Sequence, residues 1–171
     1  MPGRPLLFLD VDGTLLSSDG SAEFDVSLID WTEWQSHRNP RLAGMDRTLG
    51  RRLLALGCEL VWATAWMRDA NEVIAPLLGL PPLPVAELPE APLADPVDTL
   101  HWKTAALVTA AAGRNFAWVD DEISDIDRAW VATHHAGSAL LHRVDPRSGL
   151  TGADLAQIGD WLAGCSRRSA E

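Results

Sequence analysis

A chain of 171 residues, 47% of them hydrophobic, can bury one sizeable core and reads as a single domain over 1–171. Its formal net charge of −10, without any basic run, excludes extended nucleic-acid binding as an expectation, although one terminal phosphate needs only local positive charge. No apolar run approaches bilayer length, nothing resembles a signal peptide, and Cys58 and Cys165 are too isolated for a disulfide framework or zinc site, so no membrane and a cytoplasmic location are expected.

The apolar run Leu6 to Leu9 is expected as a buried strand that delivers two carboxylates, Asp10 and Asp12, into a turn at Gly13. In open α/β sheets, ligands sit beyond the carboxyl ends of the strands. There one carboxylate can attack phosphorus while the other handles the leaving-group proton, and both can help hold a divalent cation. Gly13 would let the backbone turn sharply beside a phosphate, and Thr14 would add a hydroxyl donor. The bland alternative is an acidic turn after a buried strand.

The next segment, Ser17 to Pro40, contains Phe24, Trp31, Trp34 and Gln35, which form either a short flap over the site or aromatics packed onto the body. A helix is expected from Arg41 to Leu56, with Leu42, Met45, Leu49, Leu53 and Leu56 inward and Arg47, Arg51 and Arg52 on a solvated face. A strand from Cys58 ends at Thr64, whose hydroxyl, with nearby backbone amides such as that of Ala65, would lie near a helix N-terminus that favours anions. That helix runs to Leu78 on the spacing of Ala70, Val73, Ile74 and Leu77, and Pro76 kinks it or ends it early. Trp66 and Arg68 lie where they could face a substrate, although a packed Trp66 is an equal alternative.

A short strand at Leu83 to Ala86 and a proline-rich connection, Leu88 to Pro96, lead to a helical stretch opened by Lys103 and closed near Gly113. Of 14 basic residues, Lys103 is the only lysine. A compact ammonium can neutralise both an aspartate and a phosphate oxygen without arginine's planar geometry. A third apolar run from Asn115 ends in five acids within Asp120 to Asp127, which would repel one another without a hard cation, for which Mg²⁺ is the natural choice. Ser124 with Asp127 and Thr151 with Asp154 read as capping boxes, and Glu122 reads as a surface carboxylate. A helix from Ser124 to His135, a strand Ala139 to Val144 and a helix from Thr151 complete an alternation that predicts an α/β Rossmann-like three-layer sandwich with a mainly parallel sheet.

Asp10-Val-Asp-Gly-Thr14 after an apolar strand, a strand ending in Thr64, Lys103 opening a helix and the acid cluster at Asp120 and Asp121 resemble, in order, the four motifs of the haloacid dehalogenase (HAD) superfamily. The stretch Trp62-Ala-Thr-Ala-Trp-Met-Arg-Asp-Ala-Asn71 further resembles the HAD domain of bacterial RNA-repair proteins. The resemblance implies a Mg²⁺-dependent phosphatase in which Asp10 forms an aspartyl-phosphate, Asp12 is general acid and base, and Thr64 and Lys103 hold the phosphate. Gly13, Thr14, Ala65, Trp66, Arg68 and Trp34 would line the substrate side. Mg²⁺ would be held by Asp10, the Asp12 carbonyl and Asp121, with Asp120 as supporting neighbour and Asp125 matching a further family acid. An aspartate at position 12 favours phosphatases over dehalogenases. The short gaps between motifs imply a minimal cap and an open site, which accepts a phosphate on a large molecule, such as a nucleotide or nucleic-acid end, or is closed by a second copy of the chain in a homo-oligomer. The rival expectation is a catalytically silent module that binds a phosphorylated or protein partner.

Overall fold

The computed structural model of the chain describes residues 3–18, 29–93 and 96–168. Runs that are apolar on both alternating faces suit strands covered on both sides. Such runs form β1 (Leu6–Leu9), β2 (Glu59–Trp62) and β3 (Phe116–Asp120), and the less buried edge strand β4 (Ala139–Arg143) completes the sheet, all paired in parallel in the order β2-β1-β3-β4. Helices follow the strands: α1 (Trp31–Trp34) and α2 (Leu49–Leu54) after β1, α3 (Ala75–Leu78) and α4 (Thr104–Ala111) after β2, α5 (Asp125–His134) after β3 and α6 (Gly152–Arg168) after β4.

Strand alternation divides the core between two faces. Leu7, Leu9, Leu60, Trp62 and Val119 pack with Leu53 of α2, Leu78 of α3 and Ile158 of α6. Leu6, Phe8, Val61, Phe116 and Trp118 pack with Leu107 of α4 and Val131 of α5. The result is the expected three-layer α/β sandwich. Both capping boxes form: the Ser124 and Thr151 hydroxyls accept from the Asp127 and Asp154 amides, and each aspartate accepts from its cap residue's backbone N–H.

Three expected elements differ. The helix from Arg41 to Leu56 is broken into a 3₁₀ turn, Pro40–Gly44, and α2. Between them the Asp46 carboxylate accepts from both the backbone N–H and the hydroxyl of Thr48, a local bond that competes with a continuing helix. Leu42, Met45, Leu49 and Leu53 are nevertheless buried, while Arg47, Arg51 and Arg52 are exposed as expected. The helix to Leu78 opens as a wide π-type turn, Ala70–Ile74, in which the Ala75 N–H reaches back to the Ala70 carbonyl. Pro76 follows in the first turn of α3, and the helix ends at left-handed Gly79.

The strand expected over Leu83 to Ala86 is reduced to one bridge, Val85 beside Trp62. Pro81, Pro82 and Pro84 remove the donors a longer ladder would need. Asn71 pins the segment instead: its carboxamide oxygen accepts from Trp62 Nε1 and the Leu83 N–H, each at 2.8 Å, and its NH₂ donates to the Leu83 carbonyl. Between β1 and β2 the described residues carry only α1, the 3₁₀ turn and α2. Phe24 lies outside them. No helix among them is long and apolar enough to cross a membrane.

Candidate active site

Leu9 pairs with Trp62 on one side and Val119 on the other, so the residues that follow β1 and β2 and the last residue of β3 emerge at one edge of the sheet. Asp10, Thr64 and Asp120 are brought to that edge and buried. Lys103 reaches it from the start of α4, where its Nζ donates to Asp10 Oδ1 at 2.8 Å and to Asp120 Oδ2 at 2.7 Å. Lys103 as a whole is only 3% exposed. Burial works against its charge, but Asp10 and Asp120 outweigh that and hold its pKa well above the ordinary lysine value.

The Asp120 carboxylate has its oxygens committed. Besides Lys103, it accepts from Trp118 Nε1 at 3.2 Å and from the Glu122 N–H at 3.0 Å. Asp121, by contrast, is half-buried and lines a cavity of about 470 Å³. Burial first, then the charges of Asp120 and Glu122, push its carboxyl up to about 7. Burial, followed by the Asp120 charge, likewise raises Asp10 well above the ordinary range despite Lys103. Carboxyl oxygens of Asp10, Asp120 and Asp121 lie within 4.8 Å of one another. One ammonium against this many carboxylates leaves a negative excess, and an all-oxygen donor set fits a hard divalent cation such as Mg²⁺.

The turn after Asp10 explains its glycine. The N–H groups of Thr14, Leu15 and Leu16 converge on the Val11 carbonyl, and Gly13 takes a φ of 71°. A Cβ there would lie 2.4 Å from Asp121 Oδ2. Only glycine therefore admits both this left-handed backbone and the approach of the Asp121 carboxylate. The Thr14 hydroxyl faces Asp10 Oδ2 at 3.4 Å. Thr64 is fully buried, and its hydroxyl accepts the Trp66 backbone N–H at 3.2 Å.

Asp12 is gripped by two tryptophans. Trp34 Nε1 donates to Oδ1 at 2.8 Å and Trp66 Nε1 donates to Oδ2 at 2.9 Å. Burial raises the Asp12 pKa, and the two indole bonds only partly offset it. Trp66 is 1% exposed, so the packed alternative is the one realised, and its ring is not available to stack on a ligand. Arg68 is exposed and does not line the cavity, and Asp125 points to solvent and pairs with Arg128 at 2.9 Å. These two therefore lie apart from the other candidate residues.

The cavity is lined by Asp10, Asp12, Gly13, Trp34, Ala65, Lys103 and Asp121 as expected, and also by Trp31, Arg41, Trp102 and Glu122. Arg41 and Trp102 have no motif of their own in the sequence; adjacency to Lys103 was the available signal for Trp102. The Arg41 guanidinium sits 5.6 Å over the Trp34 ring and donates to the Ser17 carbonyl. Glu122, expected as a plain surface acid, faces His101 Nε2 at 3.3 Å, and that hydrogen bond holds its carboxyl below the usual range despite partial burial.

A parallel sheet whose carboxyl edge gathers an Asp-x-Asp turn, a strand-end threonine, a buried lysine and an acid pair defines an HAD-type domain. Residues 6–155 match the family described as the HAD domain in Swiss Army Knife RNA repair proteins, and the chain belongs to that family. No curated protein matches the chain.

Proposed function

We propose that this domain is a Mg²⁺-dependent phosphomonoesterase working through an aspartyl-phosphate on Asp10, with a nucleotide or a nucleic-acid end as the phosphorylated substrate. The observation that carries the reading is Lys103 bridging Asp10 and Asp120 beside Asp121, at the floor of a cavity open enough for a large leaving group. Asp10 attacks phosphorus as the bond to the leaving oxygen breaks, and Asp12 gives that oxygen its proton. Asp12 then takes a proton from the water that attacks phosphorus and frees Asp10. Lys103 offsets charge on the phosphoryl oxygens, and Thr64 and the amides around Ala65 flank them. Asp10, Asp121 and the Asp12 carbonyl would hold the cation, with Asp120 behind them. When bound, Mg²⁺ supplies Lewis-acid stabilisation of the phosphoryl charge.

The family's RNA-repair description supports a nucleic-acid end, as do the aromatic side chains of Trp31, Trp34 and Trp102 on the cavity wall. Phosphate release should be followed with and without Mg²⁺ across aryl phosphates, hexose phosphates, nucleotides and end-phosphorylated oligonucleotides. Nucleotides or oligonucleotides are expected to show the higher kcat/KM, and Trp31→Ala, at a residue 48% exposed, should narrow their advantage over hexose phosphates. Asp10→Asn should lower turnover more than about a thousandfold while the fold persists. A metal-replete Asp10→Asn protein with undiminished activity would overturn the covalent mechanism, and no release from any substrate would favour the silent module.

A further inference from the structure

We propose that Trp34 and Trp66 are positioning residues: their indole N–H groups clamp the two oxygens of Asp12 and hold it in the orientation from which it transfers protons. The proposal rests on the phosphatase reading, because it assigns Asp12 that task. An aspartate held at one oxygen can still swing about its Cβ–Cγ bond, whereas one donor on each oxygen fixes both side-chain torsions. The bonds of 2.8 and 2.9 Å come from residues 22 and 54 positions away. An indole N–H donates without bringing charge, so it fixes the carboxylate without adding a second cation beside Lys103.

Both arms of the clamp are themselves anchored. Trp66 is buried, and its own backbone N–H is taken by the Thr64 hydroxyl. Met67, at a left-handed φ of 48°, makes the turn that follows it. Trp34 ends α1, whose cap Asp30 accepts from the Thr32 and Glu33 amides. The Asn39 carboxamide donates to the Trp34 carbonyl at 2.9 Å, and Arg41 lies over the ring. Gln35 Nε2 then donates to the Ala65 carbonyl at 3.0 Å, tying the segment that carries Trp34 to the turn that carries Trp66. The short segment after β1 thereby holds the proton-transfer group as well as walling the cavity.

A buried indole needs a partner, so a purely structural account would have Asp12 serving the tryptophans. The two accounts differ in what the leaving group feels. Displacement of a poor leaving group depends on a well-aimed proton donor, and a small misplacement is costly. The test measures kcat/KM, which reports the phosphorylation step, across aryl and alkyl phosphates of graded leaving-group acidity. Wild type, Trp34→Phe, Trp66→Phe, Asp12→Asn and the double variant Trp34→Phe/Asp12→Asn are compared, with near-UV circular dichroism to verify the fold. If Trp66→Phe fails to fold, half-exposed Trp34 carries the test.

Trp34→Phe should steepen the dependence on leaving-group acidity, raising the aryl-over-alkyl ratio of kcat/KM at least tenfold. It should add no further change of ratio in the Asp12→Asn background. Equal losses on all substrates, or the same shift of ratio with and without Asp12, would overturn the clamp while leaving an active phosphatase. A wild-type protein that releases no phosphate from any of them would overturn the phosphatase reading, and the clamp's role with it.

Discussion

The Lys103 ammonium stands between two carboxylates, Asp10 and Asp120, that are 5% and 0% exposed. Taking it away strands negative charge in the interior, where breaking a buried pair costs about 3–5 kcal/mol. Lys103→Met should therefore lower the urea midpoint, and more at pH 8 than at pH 5, since a carboxyl that has lost its counter-charge escapes the penalty by taking up a proton. An equal loss at both pH values would mean that the carboxylates are compensated by something else. Gly13 acts at the same scale through shape. In Gly13→Ala, the methyl must displace the Asp121 carboxylate from 2.4 Å, and the left-handed φ costs about 1–2 kcal/mol besides. The Mg²⁺ concentration for half-maximal activity should rise at least roughly tenfold, the low end of what misorienting a metal ligand costs; an unchanged Mg²⁺ titration would detach Asp121 from the metal.

At the scale of elements, Asp127 joins the start of α5 to the start of α4. It is fully buried and accepts from the Ser124 N–H and hydroxyl, the His101 N–H and the Thr104 hydroxyl, at 2.7 to 2.9 Å. Burial alone would raise its pKa, but these bonds together outweigh it and hold the carboxyl below its ordinary value. A depressed pKa contributes stability that is complete above the unfolded value of about 3.9 and drains away as pH falls through the folded one. Asp127→Asn should thus be less stable than wild type by about 3–6 kcal/mol at pH 7, the sum of the two charge-assisted bonds that an amide nitrogen cannot accept. The gap in urea midpoint should be constant above about pH 4 and narrow only as pH falls below it, through the depressed folded value. The capping boxes were legible in the sequence because their partners are three residues apart. The break at Asp46 was not, because the apolar spacing of Leu42 to Leu53 specifies which side chains turn inward and is served by two short helical turns as well as by one long one.

The whole molecule shows why half of the site could be read beforehand and half could not. Asp10, Lys103 and Asp121 are placed by strand ends and a helix start, which apolar runs mark; the indoles on Asp12 are long-range bonds without a periodic signal, and Trp66 looked as suited to a ligand as to the core. The same long-range view bears on substrate size. The net charge of −10 sets a repulsive background for any polyanion, and the cations lining the cavity among the described residues are Lys103 and Arg41. A nucleic-acid end can then be gripped by its terminal phosphate and one neighbour, without a tracked backbone. Each neutralised phosphate contributes roughly −0.7 to the slope of log affinity on log salt for a single strand. For an end-phosphorylated oligonucleotide, log kcat/KM against log salt at fixed Mg²⁺ should accordingly fall no more steeply than about −1.5, with little dependence on length beyond a few nucleotides. Trp31→Ala should weaken that substrate without altering the slope, because stacking carries no counterions. A slope of about −4 or steeper would require a basic track that the charge distribution does not supply, and would place the phosphate-binding cations on a partner chain instead.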